Sequence, residues 1–91
     1  MDLEKNIQYL IEELSKKTSS KDLEQVIKFN EHREYGLAYE WICAEYIEND
    51  LLISEKGKDL LFKIYEFLKQ DSMPEWEEME LEKKIHQIKI E

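Results

Sequence analysis

The sequence predicts an all-α fold, a compact bundle of four to five helices that forms a single domain. Apolar residues recur in several segments at the 3.6-residue spacing of a helix face. Only two glycines and one proline occur, which is too few for a turn-rich β fold. The chain of 91 residues is long enough for one modest hydrophobic core. These features favour a small helical domain over a β fold or a disordered chain.

Two helices are predicted in the first third of the chain, over residues 2–16 and from about residue 20 to residue 30. The first has an apolar face at helical spacing, made of Leu3, Ile7, Leu10, Ile11 and Leu14. Either Ser19 or Ser20 can cap the second helix, because a serine hydroxyl accepts a hydrogen bond from an unpaired N–H of the first turn. The apolar face of this second helix consists of Leu23, Val26 and Ile27.

The central helix is predicted over residues 34–49, the most apolar and most aromatic run of the sequence. At about 100° per residue, its side chains sort into two faces. One face is expected to contact the core and contains Tyr35, Tyr39, Ile42, Cys43, Tyr46 and Ile47. The other is an acidic face around a tryptophan and contains Glu34, Leu37, Ala38, Trp41, Glu45 and Glu48. We expect this helix to support the core on one side and to meet a partner on the other.

The next helix is predicted from Ser54, a suitable N-cap, to about residue 68. Its apolar stripe is formed by Leu60, Leu61, Ile64 and Leu68. The connector before it, residues 51–53, is too apolar to lie free in solvent and is predicted to plug one end of the bundle. Glycine inside a helix costs about 1 kcal/mol relative to alanine. Gly36 and Gly57 are therefore both expected at close helix crossings.

A last helix is predicted to begin at Ser72-Met73-Pro74-Glu75, which has the spacing of a capping box with proline in the first turn. Its apolar pattern is weak, because Trp76 and Met79 point one way while Leu81, Ile85 and Ile88 point another. We expect this helix to pack at its start and to loosen toward its end. Residues 88–90 alternate in polarity, but three residues are too few to predict a strand.

The charge distribution predicts a basic protein partner. The chain has 13 Lys and Arg against 22 Asp and Glu, a formal net charge of -9, which repels nucleic acid and anionic lipid. From Glu34 to Glu55 there are six acids and no base, so no lysine offers the i,i+4 pairing that is usual on a solvated helix face. The candidate partner-binding residues are Glu34, Trp41, Glu45, Glu48, Asp50 and Glu55.

Trp41 lies within this acidic face and has two interpretations. A tryptophan ringed by acids is typical of an interface anchor, with the ring in a pocket of the partner and the acids against its Lys and Arg residues. Alternatively, the bundle has another layer here and Trp41 belongs to the core, since tryptophan is highly buried on average.

The sequence indicates a reducing compartment. Cys43 is the only cysteine, so an intramolecular disulfide is impossible. The N-terminus lacks the basic and apolar regions of a signal peptide, and no apolar run approaches the roughly 20 residues of a membrane span. We therefore expect a cytoplasmic protein without a membrane partner, and a monomer is favoured.

No catalytic, metal-binding or cofactor-binding residue is predicted. His32, Cys43 and His86 do not have the spacing of ligand motifs such as CxxC or HxxxH. The glutamate-rich segment 75–82 lacks the loop ligands and the turn glycine of a calcium loop. Phosphate-binding glycine loops and nucleophile-elbow motifs are absent from the sequence.

Packing residues in the middle of the chain carry a family resemblance; they are Glu34-Tyr35-Gly36-Leu37-Ala38, Glu40, Ile42-Cys43, Tyr46 and Ile53-Ser54. Residues 60–68 and 74–76 fit the same pattern more loosely. Over about residues 23–76 the chain resembles the small all-helical immunity proteins of bacterial polymorphic toxin systems. The Maf-type immunity family is the main likeness, and the immunity proteins of contact-dependent growth inhibition share the role.

The resemblance implies a cytoplasmic protein that binds one cognate toxin C-terminal domain, often a nuclease, and neutralises it by stoichiometric inhibition. It implies no particular binding residues, because partner-facing residues vary between cognate pairs. Two other interpretations stay open. One is a helical adaptor or regulatory protein that binds another basic protein, and the other is a small metal-binding protein or enzyme.

Overall fold

The computed structural model of the chain describes residues 1–70 and 74–91, and it confirms the all-α bundle. The described residues form five helices: α1 (Leu3–Ser15), α2 (Asp22–Glu31), α3 (Tyr35–Glu48), α4 (Glu55–Lys69) and α5 (Glu75–Gln87). Helix α3 packs against α1, α2 and α5, and α1 also contacts α2 and α4. Helix α3 is thus the central helix of the bundle, as its apolar and aromatic sequence predicts.

Side-chain caps explain where α1 and α4 begin, whereas the cap position of α2 is Lys21 and not Ser19 or Ser20. The Asp2 carboxylate accepts a hydrogen bond from the N–H of Lys5 at 3.1 Å, and the Ser54 hydroxyl accepts one from the N–H of Gly57 at 3.0 Å. The cap predicted at Ser54 is therefore confirmed. Helix α2 begins at Asp22, whose N–H donates to the Ser20 hydroxyl at 3.1 Å. The capping box predicted at Ser72 lies outside the described residues.

A single hydrophobic cluster fills the space between the helices. Its largest fully buried side chains include Tyr39, Tyr46, Leu10, Leu61 and Ile64. A buried tyrosine needs a partner for its hydroxyl, and that of Tyr39 donates to the carbonyl oxygen of Leu61 at 2.7 Å. This hydrogen bond joins α3 to α4 through the core.

The two-faced description of the central helix is wrong in part. Ala38 is fully buried and Glu45 is only 3% exposed, although both were assigned to the partner-facing side, whereas Leu37 on that side is exposed. The physical reason is that α1, α2 and α5 surround α3 on more than one side. A helix with several neighbours has no single solvent-facing half, so a helical wheel cannot separate its core and surface positions.

The prediction that the connector between α3 and α4 packs against the bundle is confirmed in part, for Ile53 and the half-buried Leu51. Ile53 is fully buried, while Leu52 beside it is exposed. Ile53 also pairs with the C-terminal segment: its N–H donates to the carbonyl of Lys89 at 2.9 Å, and its carbonyl accepts from the N–H of Glu91 at 2.9 Å. The sequence predicts no strand at residues 88–90, and the structure has one isolated parallel bridge there, between Ile53 and Ile90.

The predicted packing direction of the last helix is wrong. Trp76 and Met79 near its start are exposed, whereas Leu81, Ile85 and Ile88 toward its end are buried. The end is fixed from α4, because the Lys58 ammonium donates to the carbonyl oxygens of Ile85, at 2.6 Å, and Ile88. Cations near a helix C-terminus satisfy carbonyls that have no partner within the helix. The early apolar residues therefore lie outside the core.

The two glycines differ in their surroundings. A Cβ atom at Gly57 would lie 2.7 Å from Cγ1 of Ile53 and 2.8 Å from Oε1 of Glu13, which confirms a close approach. The approaching atoms belong to side chains of the connector and of α1, and not to the backbone of a crossing helix. A Cβ atom at Gly36 would have nothing within 4 Å, so the same expectation for that residue is wrong. Gly36 lies in the first turn of α3 at the surface, where no other element approaches it.

Candidate partner-binding site

Four residues of α3 and one residue of α2 line a small surface cavity of about 170 Å³. We call it the tryptophan pocket, and its lining residues are Asp22, Trp41, Ala44, Glu45 and Glu48. The α3 members are three, four and seven residues after Trp41, which places them on one face of the helix. Three of the six predicted partner-binding residues thus meet in one cavity.

The indole of Trp41 forms an aromatic wall of this pocket. Trp41 is half-buried, and its ring packs against Phe29 of α2 in an edge-to-face arrangement with ring centroids 5.6 Å apart. Such pairs contribute about 0.5–1.5 kcal/mol beyond the burial of their surface. Trp41 has features of both an interface anchor and a core residue, because it packs against the core cluster and also borders the cavity.

Glu45 is the buried member of the pocket. The Ser20 hydroxyl donates to its Oε1 at 3.1 Å, and the Asn49 amide donates to its Oε2 at 2.8 Å. The prediction of Glu45 as an exposed docking residue is therefore wrong in its exposure, although the residue does line the cavity. Glu45 is buried by tertiary contacts, because Ser20 precedes α2 and reaches α3 only in the folded bundle. Both oxygens are consequently held in fixed positions.

The carboxylates of the pocket are close enough to affect one another. Burial raises the pKa of Glu45 above its usual range, and a hydrogen bond to the carboxyl of Asp22, which requires a shared proton, raises it further. The hydrogen bond from Ser20 opposes this shift, and the negative charge of Glu48 adds to it. Within the described residues, no ion pair includes Asp22, Glu45 or Glu48. The free protein thus carries unneutralised negative charge at this site.

Asp22 is the pocket residue that the sequence analysis missed. In the sequence it is an acid in the first turn of α2, where it suits the positive end of the helix. The contact between α2 and α3 brings its carboxyl to the face of α3 that carries Trp41. Its place in the first turn offers no signal for this, because the approach depends on how two helices cross.

The other three predicted residues lie outside the pocket. Glu34, Asp50 and Glu55 are all exposed. Glu34 precedes α3 and Asp50 follows it, and a helix of 14 residues separates them by about 21 Å along its axis. Asp50 has a φ angle of 49°, a left-handed conformation that follows the C-terminus of α3. The structure therefore divides the predicted set into a pocket group and three separate surface acids.

A second carboxyl pair connects α3 with α5. Partial burial raises the pKa of Glu40. A hydrogen bond to the Glu77 carboxyl and the repulsion between the two negative charges raise this pKa further. The ammonium of Lys84 opposes this shift. The positive charge of Lys84 on α5 therefore acts on the Glu40–Glu77 pair, whereas no Lys or Arg is among the groups that shift the pKa of Glu45.

The structure also shows the surroundings of the cysteine and the two histidines, the residues considered for a nucleophile or a metal site. Cys43 is fully buried, and burial raises the pKa of its thiol to about 12. A thiol that stays protonated at neutral pH is a poor nucleophile. His32 is exposed at the end of α2, and the ring of His86 packs edge-on against Phe62. Among residues 1–70 and 74–91, no group of three or more His, Cys, Asp or Glu residues is arranged to hold a metal ion.

A broader depression of about 350 Å³ lies along the outer side of α5, lined by Met79, Glu82, Lys83, His86 and Gln87. It carries charges of both signs, and all of its lining residues come from one helix. None of the described helices is long and apolar enough to cross a membrane. No protein-family model matches the sequence, and no curated protein and no solved structure has significant similarity to it.

Proposed function

We propose that this chain is an immunity protein that binds a basic cognate toxin domain, of the nuclease type, in the bacterial cytoplasm and neutralises it by stoichiometric inhibition. The observation that supports a basic partner is the tryptophan pocket, where an aromatic wall and three carboxylates meet with no counter-ion among the described residues. The family resemblance of residues 23–76 supports a toxin domain as that partner.

The physics of the pocket favours binding a cation from outside. Like charges held near one another in a partly buried site repel, and the raised pKa of Glu45 reflects its burial first, then its hydrogen bond to Asp22 and the repulsion between the acids. A basic side chain that enters the pocket removes the repulsion and replaces lost hydration. Aromatic residues that have one fixed side and one open side are typical of interface anchors, because little conformational entropy is lost when they bind.

The toxin would be inhibited because the immunity protein occupies the surface that binds its substrate. A toxin surface that is basic because it binds nucleic acid would bind the acidic tryptophan pocket in place of its substrate. The toxin active site would then be covered directly or be separated from its substrate by the bulk of the bundle. Either arrangement requires one immunity protein for each toxin molecule and no chemical step.

If the chain is an immunity protein, its gene is expected to follow the gene of its toxin. The test is therefore binding to the product of that adjacent gene, using purified proteins and isothermal titration calorimetry. We expect a one-to-one complex, and we expect Glu48→Gln in the pocket to weaken it by at least about tenfold, a loss of about 1.4 kcal/mol. Glu55→Gln is the matched control, because it removes the same charge from an exposed acid outside the pocket. Equal effects of the two substitutions would remove the pocket from the interface.

An adaptor or regulatory protein with another basic partner would use the same pocket. The two functions separate in living cells. An immunity protein restores growth to bacteria that express the toxin encoded next to it, and the Glu48→Gln variant restores less. An adaptor leaves the growth defect unchanged, and failure of the adjacent gene product to bind would contradict the immunity function.

A further inference from the structure

We propose that the tryptophan pocket is a receptor for one arginine side chain of the partner protein. This inference rests on the proposed function and deepens it, because it names the chemical group that enters the pocket. It depends on three features of the structure: the aromatic wall, the fixed carboxylate and the placement of the other two acids.

The aromatic wall matches the shape of a guanidinium group. The guanidinium is planar, stacks on aromatic faces and is more weakly hydrated than an ammonium, whereas the lysine ammonium is compact and strongly hydrated. Cations interact most strongly with indole among the aromatic rings. Trp41 borders the cavity while Phe29 supports its ring from α2, so the wall is already in position before any ligand arrives.

Glu45 supplies the fixed acceptor. The side chain is 3% exposed, and the hydrogen bonds from Ser20 and Asn49 use one acceptor position on each of its oxygens. The Asp22 carboxyl also shares a proton with Glu45, and an entering guanidinium would release that proton to solvent. The ionised carboxylate then has about four acceptor positions, so both oxygens can accept from a bidentate guanidinium. No cation of the described residues pairs with this buried group, which is the unusual feature that points to an external one.

The remaining two acids suit the other donors of the group. Asp22 and Glu48 are exposed members of the lining, on two different helices, so they stand at the rim of the cavity while Glu45 lies deeper. Arginine carries five N–H donors in a fixed plane, and lysine carries three on one atom. Acceptors at the rim and at the base of an aromatic-walled cavity therefore match arginine better than lysine.

The experiment uses the full chain and the indole N–H signals of its two tryptophans in nitrogen–proton correlation spectra. Nα-acetyl-arginine amide is titrated at constant ionic strength, beside the corresponding lysine and citrulline compounds. We expect saturable movement of the Trp41 signal with a dissociation constant of about 1 mM or weaker for arginine, at least about fivefold weaker binding for lysine, and no response to uncharged citrulline. The exposed Trp76 is an internal reference, and its signal is assigned with Trp76→Phe.

Matched variants separate the pocket from the general negative charge of the protein. Asp22→Asn and Glu48→Gln are expected to weaken arginine binding at Trp41, while Glu55→Gln leaves it unchanged. The inference is overturned if lysine binds as well as arginine, since attraction would then be diffuse, or if the Trp41 signal does not move while the thermal midpoint shows a folded protein. Arginine binding without any complex with the adjacent gene product would instead contradict the proposed function alone.

Discussion

The carboxylate of Glu13 in α1 accepts a hydrogen bond from the backbone N–H of Ser54 at 2.9 Å, and it also accepts from the Ser54 hydroxyl. The same carboxylate binds the ammonium of Lys17 at 3.1 Å and the hydroxyl of Tyr46 at 3.2 Å. Lys17 in turn contacts the carbonyl of Leu52 and the carboxylate of Glu91. One partly buried acid thus connects α1, α3 and the start of α4, and through Lys17 it is linked to the C-terminal segment.

The first prediction concerns this acid. Glu13→Gln removes the charge and one acceptor, so we expect a loss of about 1–2 kcal/mol in the free energy of unfolding, measured by urea denaturation. Glu12→Gln is the matched control, because Glu12 is exposed on the same helix and its substitution is expected to change stability by less than about 0.5 kcal/mol. An equal effect of both substitutions would contradict the central role of Glu13.

The stabilising effect of Glu13 also depends on pH. Burial raises its pKa, but the hydrogen bonds from Ser54 and Lys17 outweigh burial and leave the pKa below the ordinary value of 4.5. A lowered pKa means that the contribution is fully present above pH 4.5 and is lost as the pH falls through the folded value. The stability difference between the native chain and Glu13→Gln is therefore expected to shrink on acidification below pH 4.5.

Glu45 is expected to show the opposite dependence. Its pKa is raised above 4.5 by burial and by the facing acids Asp22 and Glu48, so the folded state holds its proton more tightly than the unfolded state. Its contribution is most favourable below 4.5 and declines as the pH rises through the folded value. Relative to the native chain, Glu45→Gln should therefore gain stability as the pH rises from 4.5 through the folded value of Glu45. A constant stability difference across this range would contradict the prediction.

Trp41→Ala tests the half-buried position of the indole. Because the ring packs on Phe29 but also borders a cavity, we expect a loss of folding stability of about 1–3 kcal/mol, below the 3–5 kcal/mol that a fully enclosed aromatic ring costs. The same variant is expected to lose about 2 kcal/mol or more of partner binding. Trp76→Ala is the control, since Trp76 is 68% exposed, and both measurements should stay unchanged.

Replacing each of the two glycines by alanine is expected to change the folding stability in opposite directions. Gly57→Ala places a methyl group against Ile53 and Glu13, and overpacking of this kind costs about 1–3 kcal/mol despite the better helix propensity of alanine. Gly36→Ala meets nothing within 4 Å and is expected to raise stability by up to about 1 kcal/mol. Thermal or urea unfolding of the two variants measures both effects, and stabilisation by Gly57→Ala would show that the approach is looser than the structure indicates.

Association with a basic partner is expected to slow as salt rises. Attraction between the partner and the acidic pocket is screened beyond about 10 Å at 0.1 M salt and about 3 Å at 1 M salt. Stopped-flow or surface-based kinetics should give a smaller association rate at high salt, and Glu48→Gln should show a weaker salt dependence than the native chain. A rate that is independent of salt would remove the acidic face as the docking surface.

Local sequence features determined which segments are helices and where several of them begin. The apolar spacing of α1 and α4 depends on residues three or four apart, and the Ser54 cap depends on an N–H three residues away, so both can be recognised without the rest of the molecule. The burial of Ile53 could be predicted for a similar reason. A connector of three apolar residues is too costly to leave in water, whichever helices surround it.

Only the tertiary structure decided which side of α3 faces solvent, where Asp22 lies and which end of α5 is packed. The side chain of Glu45 is buried because Ser20 and α2 approach it, and Asp22 joins the tryptophan pocket for the same reason. The end of α5 is buried because it packs against α3 and α4, where Lys58 of α4 also binds its last carbonyls. Each of these outcomes depends on contacts between residues far apart in the chain, and the 3.6-residue period of a single helix contains no information about the neighbours it will have.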